Sequence, residues 1–136
     1  MKYMMILNTP RDGYTQYMNW PKKILEANAQ FMQTFTKKLA AAGELVGAEG
    51  LASPQEAKLV RAGKDGKPIT DGVFAESKEF LAGYWIIDVD SPERALEVAA
   101  EASLAPGVSV IGADGKTIDH LWIELRQILG GHKDLG

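Results

Sequence analysis

The densest group of side chains that could do chemistry lies in residues 71–79. Four charged residues and one aromatic ring stand there, immediately before an apolar segment that begins at Gly83. A structural turn needs little more than one glycine, and rigid scaffolds often carry functional residues on such loops. We therefore predict a ligand-binding loop. Its candidate contacts are Asp71, Phe74, Glu76, Lys78 and Glu79.

Each of these residues also has a plainer interpretation. The Asp71 carboxylate could accept hydrogen bonds from backbone N–H groups in an Asx-type turn, which is the role we favour. The Phe74 ring could fill space under the loop. The remaining charges could be solvated or paired with one another, and exposed ion pairs add little stability.

His120 is the candidate acid–base residue. In the predicted last strand, alternation places His120, Trp122 and Glu124 on one face and three apolar residues on the other. The apolar set should face the core, so His120 points the opposite way. Histidine titrates near neutral pH and could act there as an acid or a base. The alternative is an interface histidine with a satisfied hydrogen bond.

The composition is that of a globular protein. The 136 residues are 46% hydrophobic and 24% charged, with a net charge of −3. We predict a single domain over residues 1–136, with a flexible tail at 130–136. The negative charge argues against a nucleic-acid partner. No segment approaches the roughly 20 apolar residues of a membrane span, so we expect a cytoplasmic protein without a membrane partner.

Several kinds of site are absent from the sequence. There is no cysteine, which excludes disulfides, thiolate catalysis and Cys-ligated metals. The two histidines, His120 and His132, are too few and too far apart in sequence for a recognisable transition-metal set. Neither a phosphate-binding glycine loop nor a serine nucleophile elbow occurs. We predict no metal and no cofactor.

The periodicity predicts the elements that must position these residues. Strands are predicted at residues 3–8, 44–51, 57–62, 83–89 and 118–126, with a hairpin turn at 63–68. A long helix is predicted at 21–42, ended by Gly43, and a second helix begins after the N-cap Ser91. Glycines inside the second predicted strand indicate a bulge or a close backbone approach.

This order predicts an α+β fold of the ferredoxin-like, split βαβ type, with both helices on one face of an antiparallel sheet. We expect the second face to carry Tyr3, Met5, Tyr84 and Trp122, which is too much apolar surface to leave in water. The expected result is a homodimer with the two sheets face to face and a cleft beside the charged loop. A monomer with the loop folded over the sheet is the alternative.

The sequence resembles the DGPF-domain proteins of the YCII-like superfamily. The resemblance lies in the signature at 71–79 with Gly83-Tyr84, in the glycine-rich segment 47–51 with Pro54, and in the first strand. Val73 stands where the signature has proline, and the chain from Leu104 onward is longer than usual, which affects the register of the last strand.

The resemblance implies a ferredoxin-like domain that pairs into a dimeric α/β barrel. Most members have no established activity. Relatives in the wider superfamily are enzymes with a His and an Asp in the cleft, one branch resembles a dehalogenase, and some DGPF domains occur beside sigma-factor proteins. The superfamily's catalytic histidine lies near the first helix, and this chain has no histidine in that region. The polar residues of this chain that could take its place are Asn19, Trp20 and Gln30.

Together these observations predict a homodimer that binds a small polar or aromatic molecule, with Tyr84 and Trp122 as further contacts and His120 as a possible base for proton transfer or elimination. The alternative is a non-catalytic binding or regulatory module linked to transcription.

Overall fold

The computed structural model describes residues 1–72, 79–107, 110–111, 114–118 and 122–130. The strands are β1 (Lys2–Thr9), β2 (Leu45–Gly50), β3 (Leu59–Ala62), β4 (Pro68–Asp71), β5 (Phe80–Asp88), β6 (Val110–Ile111), β7 (Thr117–Ile118) and β8 (Ile123–Gln127). The α-helices are α1 (Gly13–Met18), α2 (Lys22–Ala41) and α3 (Pro92–Ala102), and a 3-10 turn covers Pro54–Glu56. The fold is therefore mixed α+β, with antiparallel sheets.

Four strands form the main sheet in the order β2-β5-β1-β8, and every neighbouring pair is antiparallel. The chain therefore places its first strand in the interior of the sheet, between β5 and β8. Two smaller sheets are hairpins, one of β3 with β4 and one of β6 with β7. The predicted hairpin turn at 63–68 is confirmed by the bond from the Gly63 N–H to the Lys67 carbonyl at 2.8 Å.

The core lies between the main sheet and the helices α2 and α3. The ring of Phe35 on α2 meets Trp85 on β5 edge-on, with centroids 5.7 Å apart. Met5, Ile87 and Val98 are fully buried. The expectation that Tyr3 and Met5 face away from the helices is wrong, since both side chains belong to this core. Because β1 is apolar in both alternating sets, the pattern did not indicate which set faces the helices.

The predicted C-terminus of α2 and the predicted N-terminus of α3 are both confirmed. Gly43 has φ of 74° and directs the chain into β2. The N–H groups of Gly43 and Glu44 donate to the carbonyls of Ala40 and Leu39, which is the Schellman pattern. The Ser91 hydroxyl oxygen accepts a hydrogen bond from the Arg94 N–H at 3.1 Å at the start of α3. The helix α1 was not predicted.

The bulge that the glycines of β2 indicated is present, whereas the close backbone approach is made by Gly83 of β5. The pairing of β2 with β5 shifts register between Leu45 and Gly47, which is a β-bulge. Further along, Gly50 pairs with Gly83, and a Cβ on Gly83 would lie 3.0 Å from the Glu49 carbonyl oxygen. The two backbones can approach this closely because Gly83 has no side chain.

The last predicted strand, residues 118–126, is divided. Ile118 belongs to β7 in a separate hairpin, and β8 joins the main sheet only from Ile123. Within β8 the predicted faces are right: Ile123 and Leu125 pack against the core, and Glu124 is exposed. Among the residues described, no helix has both the length and the apolar character that crossing a bilayer requires. Of the predicted tail 130–136, only Gly130 is described.

Candidate functional site

A groove of ≈ 380 Å³ lies where β2 ends and β5 begins. One wall is the segment that leaves β2, residues 51–54 with 56 and 57, and the other is the pair Phe80 and Leu81. This volume falls in the range of small-molecule pockets. The two walls come from segments that are distant in sequence, so the groove exists only in the folded protein.

Local hydrogen bonds fix the first wall. The Leu51 N–H donates to the Ala82 carbonyl at 2.8 Å and holds this segment beside β5. The Ser53 hydroxyl oxygen then accepts from the Gln55 N–H at 3.3 Å, and Pro54 begins the 3-10 turn with its ring buried. Proline suits this first position because it has no N–H to satisfy. The wall is therefore preformed.

The groove is chemically simple. Its surface is mainly apolar, and its only polar side chains among the described residues are Ser53 and Glu56. An apolar wall with a few polar groups is the usual composition of a small-molecule site. A hydroxyl and a carboxylate can accept hydrogen bonds from a ligand, so the lining favours an apolar molecule that carries a donor.

Two residues of the predicted loop are described at its ends. Asp71 ends β4 and is exposed, and its Oδ1 accepts a hydrogen bond from the Gly72 N–H at 2.8 Å. Glu79 is exposed and directly precedes Phe80 of the groove wall. The other predicted contacts, Phe74, Glu76 and Lys78, lie outside the described residues.

The remaining predicted contacts lie elsewhere. Tyr84 is half-buried on β5, opposite Ile6 of β1 and Glu49 of β2. Trp122 is 82% exposed and precedes β8. Neither lines the groove. His120 lies outside the described residues, so its acid–base role stays a prediction.

Tyr84 belongs to the sheet surface that faces away from the helices, which we call the back face. Cross-strand register defines it, because directly paired residues point to the same side. Its apolar members on the two interior strands are all half-buried. Its charged members lie on β2 and β8 and, at one end of the interior strands, as the pair Lys2 and Asp88. The back face includes Met4, Ile6, Tyr84, Ile86, Glu49, Glu124, Arg126, Lys2 and Asp88.

Sequence reasoning missed two features. The first is the groove, whose only sequence signal is the Ser53-Pro54 step that follows the predicted strand 44–51. The second is an aromatic cluster in which Tyr17 packs edge-on against Trp20 at 5.1 Å. The Trp20 Nε1 is buried and has no acceptor among the described residues. Within the same ranges, no three acidic, histidine or cysteine residues are close enough to hold a metal ion.

A family model described as the YCII-related domain matches residues 1–110. The match includes both walls of the groove and ends before His120 and Trp122. No curated protein gives a significant match. Since the family model covers most of the 136 residues, the chain belongs to the YCII-related domain family.

Proposed function

We propose that this YCII-related protein binds a small, largely apolar molecule in the groove between residues 51–57 and the start of β5, and that it does so as a homodimer. The observation that carries the proposal is the preformed apolar groove itself. Its first wall is held by backbone hydrogen bonds, so little ordering entropy is lost when a ligand binds.

The lining narrows the ligand class. Phe80 and Leu81 offer a flat and a branched apolar surface on one side, and Pro54 offers a rigid ring on the other. These surfaces suit an aromatic or short aliphatic body. The Glu56 carboxylate at the rim favours an amine, amide or hydroxyl donor over an anionic group, since a second negative charge beside it would be repelled.

The homodimer is supported by the main sheet. Its order, β8-β1-β5-β2, fits the split βαβ arrangement of a ferredoxin-like domain. The apolar residues of the back face, Met4, Ile6, Tyr84 and Ile86, adjoin one another across two strands. Apolar surface of this kind on a soluble protein marks an interaction site. We propose that two back faces pack together in a dimeric α/β barrel.

A thermal-shift screen tests the ligand proposal. A compound present at 100 times its Kd stabilises the folded protein by about 2.7 kcal/mol. We expect small aromatic and aliphatic amines or alcohols to raise the melting temperature, and matched carboxylates to have less effect. The control pair is Ala57→Trp, which fills the groove, and Ala100→Trp, an exposed alanine on α3. A melting-temperature shift that survives Ala57→Trp would place the ligand elsewhere.

A further inference from the structure

The hairpin of β3 and β4 extends from the domain as an arm, which we define as residues 58–71. Every residue of both strands is exposed, and Val60 reaches 62%. The two strands pair with each other over four residue pairs and make no extensive contact with another element of the described chain. A two-stranded hairpin alone is at best marginally stable in water, so an arm of this kind needs a surface to pack on.

The two faces of the arm differ in chemistry. The register pairs Val60 with Thr70 and Ala62 with Pro68, and directly paired residues share a face. These four residues give one face without a charged side chain. The opposite face pairs Leu59 with Asp71 and Arg61 with Ile69. The uncharged face is therefore the one suited to burial against a protein surface.

The charge of the arm differs from that of the rest of the molecule. The arm carries four cationic side chains, Lys58, Arg61, Lys64 and Lys67, and two anionic ones, Asp65 and Asp71. Its net charge is +2; since the whole chain carries −3, the remaining residues carry −5. The rest of a second copy is thus acidic overall, opposite in sign to the arm. Glu49 and Glu124 on its back face are candidates to meet the arm.

We infer that the arm of each protomer packs by its uncharged face onto the second copy of the chain, with its basic residues beside acidic residues at the margin of the partner's back face. This inference rests on the proposed homodimer. In a two-fold symmetric pair each copy both gives and receives an arm, so every contact occurs twice.

Two measurements test the arm. The first is the dimer dissociation constant of the wild-type chain, of Val60→Glu in the arm, and of Leu96→Glu, a control on α3 that is equally exposed at 63%. We expect Val60→Glu to weaken the dimer at least about tenfold, because a buried charge replaces a buried apolar contact twice per dimer. Leu96→Glu should leave the constant unchanged. The melting temperature of dilute protein checks that each variant folds.

The second measurement is amide hydrogen exchange of residues 58–71 in the wild-type protein, well above and well below the dissociation constant. We expect protection that appears only at the high concentration. The inference about the arm would be wrong if Val60→Glu left the dimer dissociation constant unchanged and the arm amides exchanged equally fast at both concentrations. The proposed homodimer would be unaffected by that result. A wild-type chain that stays monomeric would remove the homodimer and the arm together. An arm that is protected by duplex DNA or anionic vesicles, but not by raised protein concentration, would also overturn the inference.

Discussion

Arg94 and Glu44 form a two-point contact. The guanidinium Nη2 donates to Oε1 at 2.8 Å and Nε donates to Oε2 at 2.9 Å. Glu44 stands at the turn from α2 into β2, and its backbone carbonyl accepts from the Asp88 N–H. Arg94 lies in the first turn of α3. The pair therefore connects the turn after one core helix to the start of the other.

The contact predicts a pH-dependent stability. The hydrogen bond from Arg94 lowers the pKa of Glu44 below its usual value of 4.5, against the opposing effect of burial. A depressed carboxylate pKa stabilises the fold above the unfolded-state pKa, and the contribution is lost as pH falls through the folded-state value. We expect Glu44→Gln to cost about 1 kcal/mol at pH 7 and less at pH 3. The cost at pH 7 is modest because solvent screens part of the pair.

Urea unfolding at both pH values measures this difference. The control is Glu26→Gln on α2, whose carboxylate is exposed and 3.9 Å from Lys22. An equal cost for Glu44→Gln at pH 7 and pH 3 would contradict the predicted pH dependence.

The approach of β2 to β5 predicts unequal effects at two paired glycines. A methyl group at Gly83 would meet the backbone of Glu49 and Gly50, whereas one at Gly50 meets no atom within 4 Å. We expect Gly83→Ala to destabilise the protein by about 1–2 kcal/mol, since the strands must separate, and Gly50→Ala to be near neutral. Chemical denaturation of both variants is the measurement. Similar stabilities for the two would argue against the close contact.

The packing of Gly107 against Trp20 predicts a coupled pair. A Cβ on Gly107 would lie 2.6 Å from the Cη2 of the indole ring. We expect Gly107→Ala to cost about 1–3 kcal/mol through overpacking. In the Trp20→Phe background the same change should cost less, because the shorter ring leaves room for the methyl group. A double-mutant cycle gives the coupling energy, and additive effects would contradict the contact.

Substitution of His120 distinguishes a catalytic protein from one that only binds its ligand. With a compound found by thermal shift, we expect His120→Ala to retain the fold, and to lower any turnover roughly 100-fold if this residue is the acid or base. His132→Ala is the control. Turnover that persists in His120→Ala would exclude the predicted role. A compound that binds the wild-type protein without being converted would indicate a non-catalytic module.

The long elements could be predicted because several local signals agree. In α3, the cap Ser91, the proline after it and the spacing of Ala95, Val98 and Ala99 all indicate the same helix. In β8, only one alternating set is apolar, so its faces were right. In β1 both sets are apolar, so Tyr3 and Met5 were assigned to the wrong face.

The groove could not be predicted for a different reason. Its residues are chemically ordinary, and nothing in the types of Leu51, Pro54 or Phe80 indicates a site. They become one only because the Leu51 N–H bonds to Ala82 and brings two distant segments together. The charged residues at 71–79 form a dense cluster that is visible in the sequence, whereas the groove depends on tertiary structure.

The position of β1 in the sheet affects how the chain can fold while it is being synthesised on the ribosome. This strand is synthesised before the others, yet the partner on one of its sides, β8, follows at Ile123–Gln127. Until then one row of backbone donors and acceptors on β1 lacks its final partner and is open to pairing with another chain. Contacts so distant in sequence also slow folding. Nascent chains stalled before β8 should therefore be the species that aggregate and recruit chaperones.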